Sequence, residues 1–200
     1  MKTTQRLLKF TPIAALCAAA LPALATNGYF PHGYGLKAKG MGGASTALAQ
    51  DSLGGATNPA SMVWAGTRLD VGLDIFMPKR DAERSGSAVP TLNGKVTSDS
   101  TRFYVPEFGY NRMMGSNWSL GVSVYGNGGM NTDYAGGDFN CGGGSANMHC
   151  GANELGVDVS QLIVAPTLAY KVNAQHAVGL SLLLGYQQFR AEGLQAFDNA

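Results

Sequence analysis

Charged residues make up only 14% of this 200-residue chain, and no apolar run reaches the roughly 20 residues that a membrane-spanning helix needs. Low charge combined with 45% hydrophobic residues excludes a disordered tail. The missing apolar run excludes a helical membrane protein. Proline stands at 8 and the 28 glycines keep no three-residue period, so a collagen-like rod is excluded too. No charge sign dominates either. The formal net charge is +1, and Lys2, Arg6 and Lys9 supply three of the 14 basic residues, leaving 11 against 13 acidic ones. That balance offers no footprint for phosphate backbones, so nucleic acid is not an expected partner. Of the three histidines, His32, His149 and His176, none stands beside a recognisable nucleophile motif, which argues against an enzyme.

What is present begins with an export signal. Residues 1–25 run from a basic start through an apolar stretch to Ala23-Leu24-Ala25, the small-x-small pattern that signal peptidases cut after. The expected mature chain starts at Thr26 and retains two cysteines, Cys141 and Cys150, in a glycine-rich segment. In an oxidising compartment such a pair is most simply a disulfide. Closing that loop removes about 2.7 kcal/mol of unfolded-chain entropy in the loop-closure model. With His149 the two thiols lack zinc-like spacing, so no metal and no cofactor is expected.

Beyond residue 66 the dominant pattern is period two. Leu69, Val71, Leu73, Ile75 and Met77 alternate with Arg68, Asp70, Gly72 and Asp74. Tyr104, Pro106, Phe108 and Tyr110 alternate with Glu107, Gly109 and Asn111, and Trp118, Leu120, Val122 and Val124 with Ser119, Gly121, Ser123 and Tyr125. Residues 161–172 and 177–192 continue the series, giving about five strands. The second faces hold charges, serines and glycines, as a crowded barrel interior does. Ten residues at about 3.3 Å each, tilted roughly 40°, rise about 25 Å, the height of an outer-membrane apolar band. Connections 79–100 and 127–156 are long, whereas 112–117 and 173–176 are short. That alternation matches outer loops and periplasmic turns. The expectation is an all-β fold, a transmembrane antiparallel barrel. Five strands cannot close one and a bilayer tolerates no open edge, so the chain is expected to be the N-terminal part of a longer protein.

Residues 26–66 read differently. Ser45 could start a short helix, and Gly33-x-Gly35-x-x-Ala38 mimics a dinucleotide fingerprint without the strand that motif needs in front. Glycines here suit a peptide threaded through a confined space, and Asn58-Pro59-Ala60 suits a rigid turn before the wall. Gly35-Leu36-x-x-x-Gly40 and Asn58-Pro59-Ala60, leading into the alternating strand at Arg68, resemble the N-terminus of FadL-type outer-membrane transporters for long-chain fatty acids, which include TodX-type channels for aromatic hydrocarbons.

The resemblance implies a monomeric 14-stranded barrel in outer-membrane lipid, plugged by an N-terminal hatch over residues 26–66, with residues 67–200 the first part of the wall. It also implies passive uptake of an apolar small molecule, captured outside and released sideways beside a kinked third strand. Tyr125, Gly126, Gly128 and Gly129, with Pro106 on the neighbouring strand, are the expected kink, because glycine and proline interrupt a ladder. The alternatives are a channel for aromatic hydrocarbons and a general porin or adhesin. Gly126 to Gly129 could also merely begin an outer loop.

Overall fold

The computed structural model describes residues 30–48 and 50–198. The leader over residues 1–25 and its cleavage point lie outside the described residues. Within them, an N-terminal head carries helix α1 (Leu36–Gly40), two 3-10 turns (Gly54–Ala56 and Pro59–Ser61) and the single-turn helix α2 (Met62–Ala65). Strands β1 (Arg68–Phe76), β4 (Phe103–Met114), β5 (Trp118–Tyr134), β8 (Leu155–Lys171), β9 (Ala177–Ser181) and β10 (Leu184–Glu192) build one antiparallel sheet. Its order is β1-β4-β5-β8-β10, with β9 also beside β8. The connection after β1 holds a hairpin, β2 (Asp81–Arg84) and β3 (Gly94–Thr97). That after β5 holds β6 (Phe139–Asn140) and β7 (Ser145–Ala146). Both long connections leave the same end of the sheet, and the short turns close the other.

Two of the strands are longer than alternation suggests. β5 runs on through its glycines to Tyr134, and β8 starts at Leu155, because the two pair with each other over that whole length. A glycine-rich strand gives little side-chain period, yet its backbone still finds a partner. The stave expected over 177–192 divides into β9 and β10 for a chemical reason. Leu182 donates its N–H to the Pro166 carbonyl at 3.1 Å, but Pro166 has no N–H to return, so the ladder lapses. Register is unchanged across the lapse, with Thr167 opposite Ser181 and Val164 opposite Leu184.

The faces invert the rule for a soluble sheet. Leu69 and Val71 are 58% and 74% exposed, while Glu107 and Asn111 on the other face are 2% and 0% exposed. Apolar side chains outward and polar ones inward is the pattern of a wall in lipid.

The head lies on the inner face, and its backbone explains the small residues there. A Cβ on Gly109 would stand 2.9 Å from the Ser52 carbonyl, and one on Gly179 would overlap the backbone of Pro59 and Ala60. Asn111 donates its amide to the carbonyls of Met62 and Gly66, both at 2.8 Å, capping the end of α2. The Ser123 hydroxyl donates to the Ser52 carbonyl at 2.8 Å. Asp70, paired with Arg68 at 2.6 Å, accepts the Ser52 N–H and hydroxyl at 2.9 and 2.7 Å. Among the described residues, apolar packing of the head on the sheet gathers in two small groups, Met62 with Val63 and Ala169, and Tyr125 with Ile163 and Ala165, the second covered by Tyr34 and Ala56. The short helix expected from Ser45 is a pair of turns instead. The Asn58 amide takes the Thr46 carbonyl at 2.9 Å, an acceptor that a helix would have used.

Candidate functional site

Residues directly opposite each other in an antiparallel pair share a face, so the registers of β5, β8 and β10 can be read as cross-strand rows. On the outer face Val124–Val164–Leu184 and Gly126–Leu162–Tyr186 are apolar. The next rows, Gly129–Ser160–Gln188, Asn131–Asp158–Arg190 and Asp133–Gly156–Glu192, are polar. On the head face no such change from apolar to polar occurs. Below the level of Leu162 it holds the small residues Ser119, Gly121 and Ser123 of β5 beside the apolar Tyr125, Ile163 and Ala165; beyond the row Gly128–Gln161–Gln187 it holds Met130–Val159–Phe189 and Thr132–Val157–Ala191. The outer face therefore turns from apolar to polar part-way up, as a wall leaving a lipid band does. Inside, a mixed seat of small and apolar residues for the head gives way, past one amide row, to a mainly apolar lining.

At that level β5 bulges. Gly126 opposes Leu162 and Gly128 opposes Gln161, leaving Asn127 as the extra residue. A one-residue bulge moves every later side chain to the other face. Without it Met130 would look outward and Asp133 inward. Sequence reasoning expected the glycines to interrupt the third wall strand. The β5–β8 ladder in fact continues past them, and the interruption falls on the other side of β5.

There the ladder between β4 and β5 ends at Phe108 opposite Val124. Beyond it β4 stays paired with β1 to Phe103, and β5 stays paired with β8 to Tyr134. Residues 103–107 and 125–134 therefore face each other unpaired. The edges meet again at the outer end. Ser98 bridges Tyr134, Asp99 donates its N–H to the Asp133 carbonyl at 2.8 Å, and the Asp133 N–H reaches the Ser98 hydroxyl at 3.0 Å. The result is a bounded stretch of wall without ladder hydrogen bonds, here termed the window. Pro106 lies on its β4 edge, two residues past the last rung. Gly126 lies on its β5 edge, where an added Cβ would stand 2.7 Å from the Val105 side chain.

The head reaches the window at two points. Tyr34 stacks on Tyr125 with ring centroids 4.2 Å apart, and its hydroxyl donates to the Asn127 side-chain oxygen. Lys39 of α1 pairs with Asp74 of β1 at 3.1 Å and with the buried carboxylate of Glu107 on β4. Gly35 caps α1 with φ 87°, a left-handed angle that a side chain would strain, and Gly40 ends the helix facing open space. Asn58 caps the turn Pro59–Ser61 by accepting the Ala60 N–H at 3.1 Å, with Pro59 at its first position.

The outer connections pack on each other. Phe139 is buried, with one ring edge against Gly94, and the Thr91 hydroxyl donates to the Asn140 carbonyl at 2.9 Å. Cys141 and Cys150 are joined, with Cα atoms 5.6 Å apart. In the exposed β2–β3 hairpin, Lys95 at 2.8 Å and the Thr97 hydroxyl hold the Asp81 carboxyl below the usual carboxylate range.

An outward-apolar sheet with a head packed on its inner face is the arrangement of a membrane wall, and the family model described as outer membrane protein transport protein (OMPP1/FadL/TodX) matches residues 24–195. The chain belongs to the FadL/TodX family. FadL/TodX membership makes it a bacterial outer-membrane protein of a transport rather than an enzymatic family. No curated protein and no solved structure matches the chain. Sequence reasoning missed Tyr34, Lys39, Glu107, Asn127 and Gln161, the polar groups that meet at the window. A usable signal was present. In β8 the outward positions change from Gly156, Asp158 and Ser160 to Leu162 and Val164 without any insertion, which marks a strand crossing from one environment to another.

Proposed function

We propose that this chain is the hatch and first wall section of a passive transporter for hydrophobic molecules, long-chain fatty acids in the first place. The head acts as the hatch. Cargo is captured among the outer connections, descends past Met130, Val157, Val159 and Phe189, and leaves sideways into lipid between β4 and β5. The observation that carries the reading is the window, whose lower part sits at the height where the outer face is still apolar. A solute there exchanges one apolar surface for another. Exit to water would cost it about 0.8 kcal/mol for each methylene exposed.

The charged and polar contacts between hatch and wall favour this reading over a general porin, since a filled inner face passes little ion current. Aromatic hydrocarbons are the second cargo class. The apolar vestibule serves either, and a panel of both in uptake assays separates them.

Replacing Gly126 by valine tests the route, because the new side chain meets Val105 across the window. Uptake of labelled oleate by cells producing the full-length protein should fall roughly tenfold, equivalent to about 1.4 kcal/mol, with the barrel still shifting on heating in gel electrophoresis. Normal uptake by a correctly assembled variant removes the lateral exit.

A further inference from the structure

We infer that Tyr34 is the latch that holds the hatch across the window, and that the bulge residue Asn127 is its positioning residue. This rests on the transport reading above and adds the contact through which the hatch is released. The hydroxyl of Tyr34 donates to the Asn127 oxygen, the Asn127 amide donates to the Gln161 oxygen, and the Gln161 amide donates to the Gln187 oxygen at 2.9 Å. Three adjacent wall strands are thus joined by side-chain amides at the level where the outer face turns from apolar to polar.

The direction of donation matters. Asn127, Gln161 and Gln187 hold one another whether or not Tyr34 is present. Because the Asn127 amide is committed to Gln161, its oxygen is aimed at the hatch. Tyr34 is added at the acceptor end of a preformed chain, so it can leave without unravelling the wall. An extra residue in β5 is needed for this. Tyr125 and Gly128 both face inward, and only the residue inserted between Gly126 and Gly128 gives β5 an amide there in addition to its regular row.

The ring of Tyr34 covers Tyr125, and Tyr125 packs with Ile163 and Ala165. This is the apolar floor on which the lining formed by Met130, Val159 and Phe189 ends. Cargo arriving from above meets the Tyr34 ring first. By burying its own apolar surface on Tyr125 and Ile163 it replaces the stack, leaving one phenol–amide hydrogen bond to break. The latch therefore yields to apolar surface and not to ions.

The test uses the full-length protein with Tyr34→Cys and Asn127→Cys, joined by a reducible bis-methanethiosulfonate reagent whose span replaces the lost tyrosine side chain, since the two Cα atoms are too far apart for a direct disulfide, and mapped by mass spectrometry. Uptake of the cargo that wild type carries should fall about tenfold or more on cross-linking and return with reductant, while wild type under the same treatments keeps its rate despite its native disulfide. Failure of the pair to cross-link, or unchanged uptake by the linked protein, overturns the latch. Tyr34→Phe keeps the ring and removes the donor. In planar bilayers its ion leak should rise about three- to tenfold, the worth of one hydrogen bond, and Gln161→Leu, which frees the Asn127 amide to turn, should leak similarly at unchanged unfolding midpoint. Leak equal to wild type in both overturns the positioning role. Wild type that carries no apolar cargo defeats the transport reading instead, and the leak measurement still judges the latch.

Discussion

The two halves of β5 are built from one strand and obey opposite rules. From Trp118 to Val124 the large side chains look into lipid and the serines and glycine look at the head. From Gly128 to Tyr134 the outward positions are Gly129, Asn131 and Asp133, and the inward ones include Met130. Amphipathicity is a property of surroundings, not of strands. β8 shows this without help from a bulge. Its backbone alternates steadily and its inward positions stay largely apolar, from Leu155 to Ala169, while its outward positions change from Asp158 and Ser160 to Leu162 and Val164, as the surroundings of the outer face alone would require.

Deleting Asn127 strikes this contrast hardest. The outer half of β5 must then slip against β8 or turn Asn131 and Asp133 inward, and register slips of this kind are costly wherever one face is buried. The assembled, heat-modifiable fraction or the uptake rate should drop by more than about tenfold. Retention of both would mean that the bulge has no structural role. Arginine substitutions then sharpen the boundary. Val122→Arg on the lower outer face should cost about 2–4 kcal/mol in unfolding from lipid vesicles, and Ser160→Arg on the upper outer face within about 1 kcal/mol. Equal penalties would mean that the apolar band has been drawn at the wrong height.

The smallest effect belongs to the outer hairpin. Because the Asp81 carboxyl is held low by Lys95 and Thr97, its contribution is present above the ordinary aspartate range and is lost as pH falls through the lowered value. Protease nicking between β2 and β3 should rise with acid in wild type and show a flatter pH profile in Asp81→Asn. Identical profiles would remove the ion pair from the hairpin's stability.

The wall was legible because a period of two needs only local reading. Every inward and outward assignment from Leu69 to Tyr125 agrees with the exposure of those side chains, apart from partly shielded positions such as Val122 and Val124. Legibility stopped at Gly126, where glycine removes the side chains that carry the period and the inserted Asn127 resets its phase. The lapse between β9 and β10 was readable in principle, since Pro166 stands in the sequence, but its effect depends on which neighbour its missing donor faces. The meeting of Tyr34 with Asn127 and of Lys39 with Asp74 and Glu107 was not readable. Those partners lie 93, 35 and 68 residues apart, and only the path of the head across the sheet brings them together.

The bridge from Ser98 to Tyr134 gives the opening a lintel. A slit that ran out to the rim would let the two flanking hairpins part like an unbuttoned collar, and thermal motion would widen it. Under the transport reading proposed above, a closed end would carry strain around the opening instead of through it, so that the aperture could stay ajar while only its shutter moved.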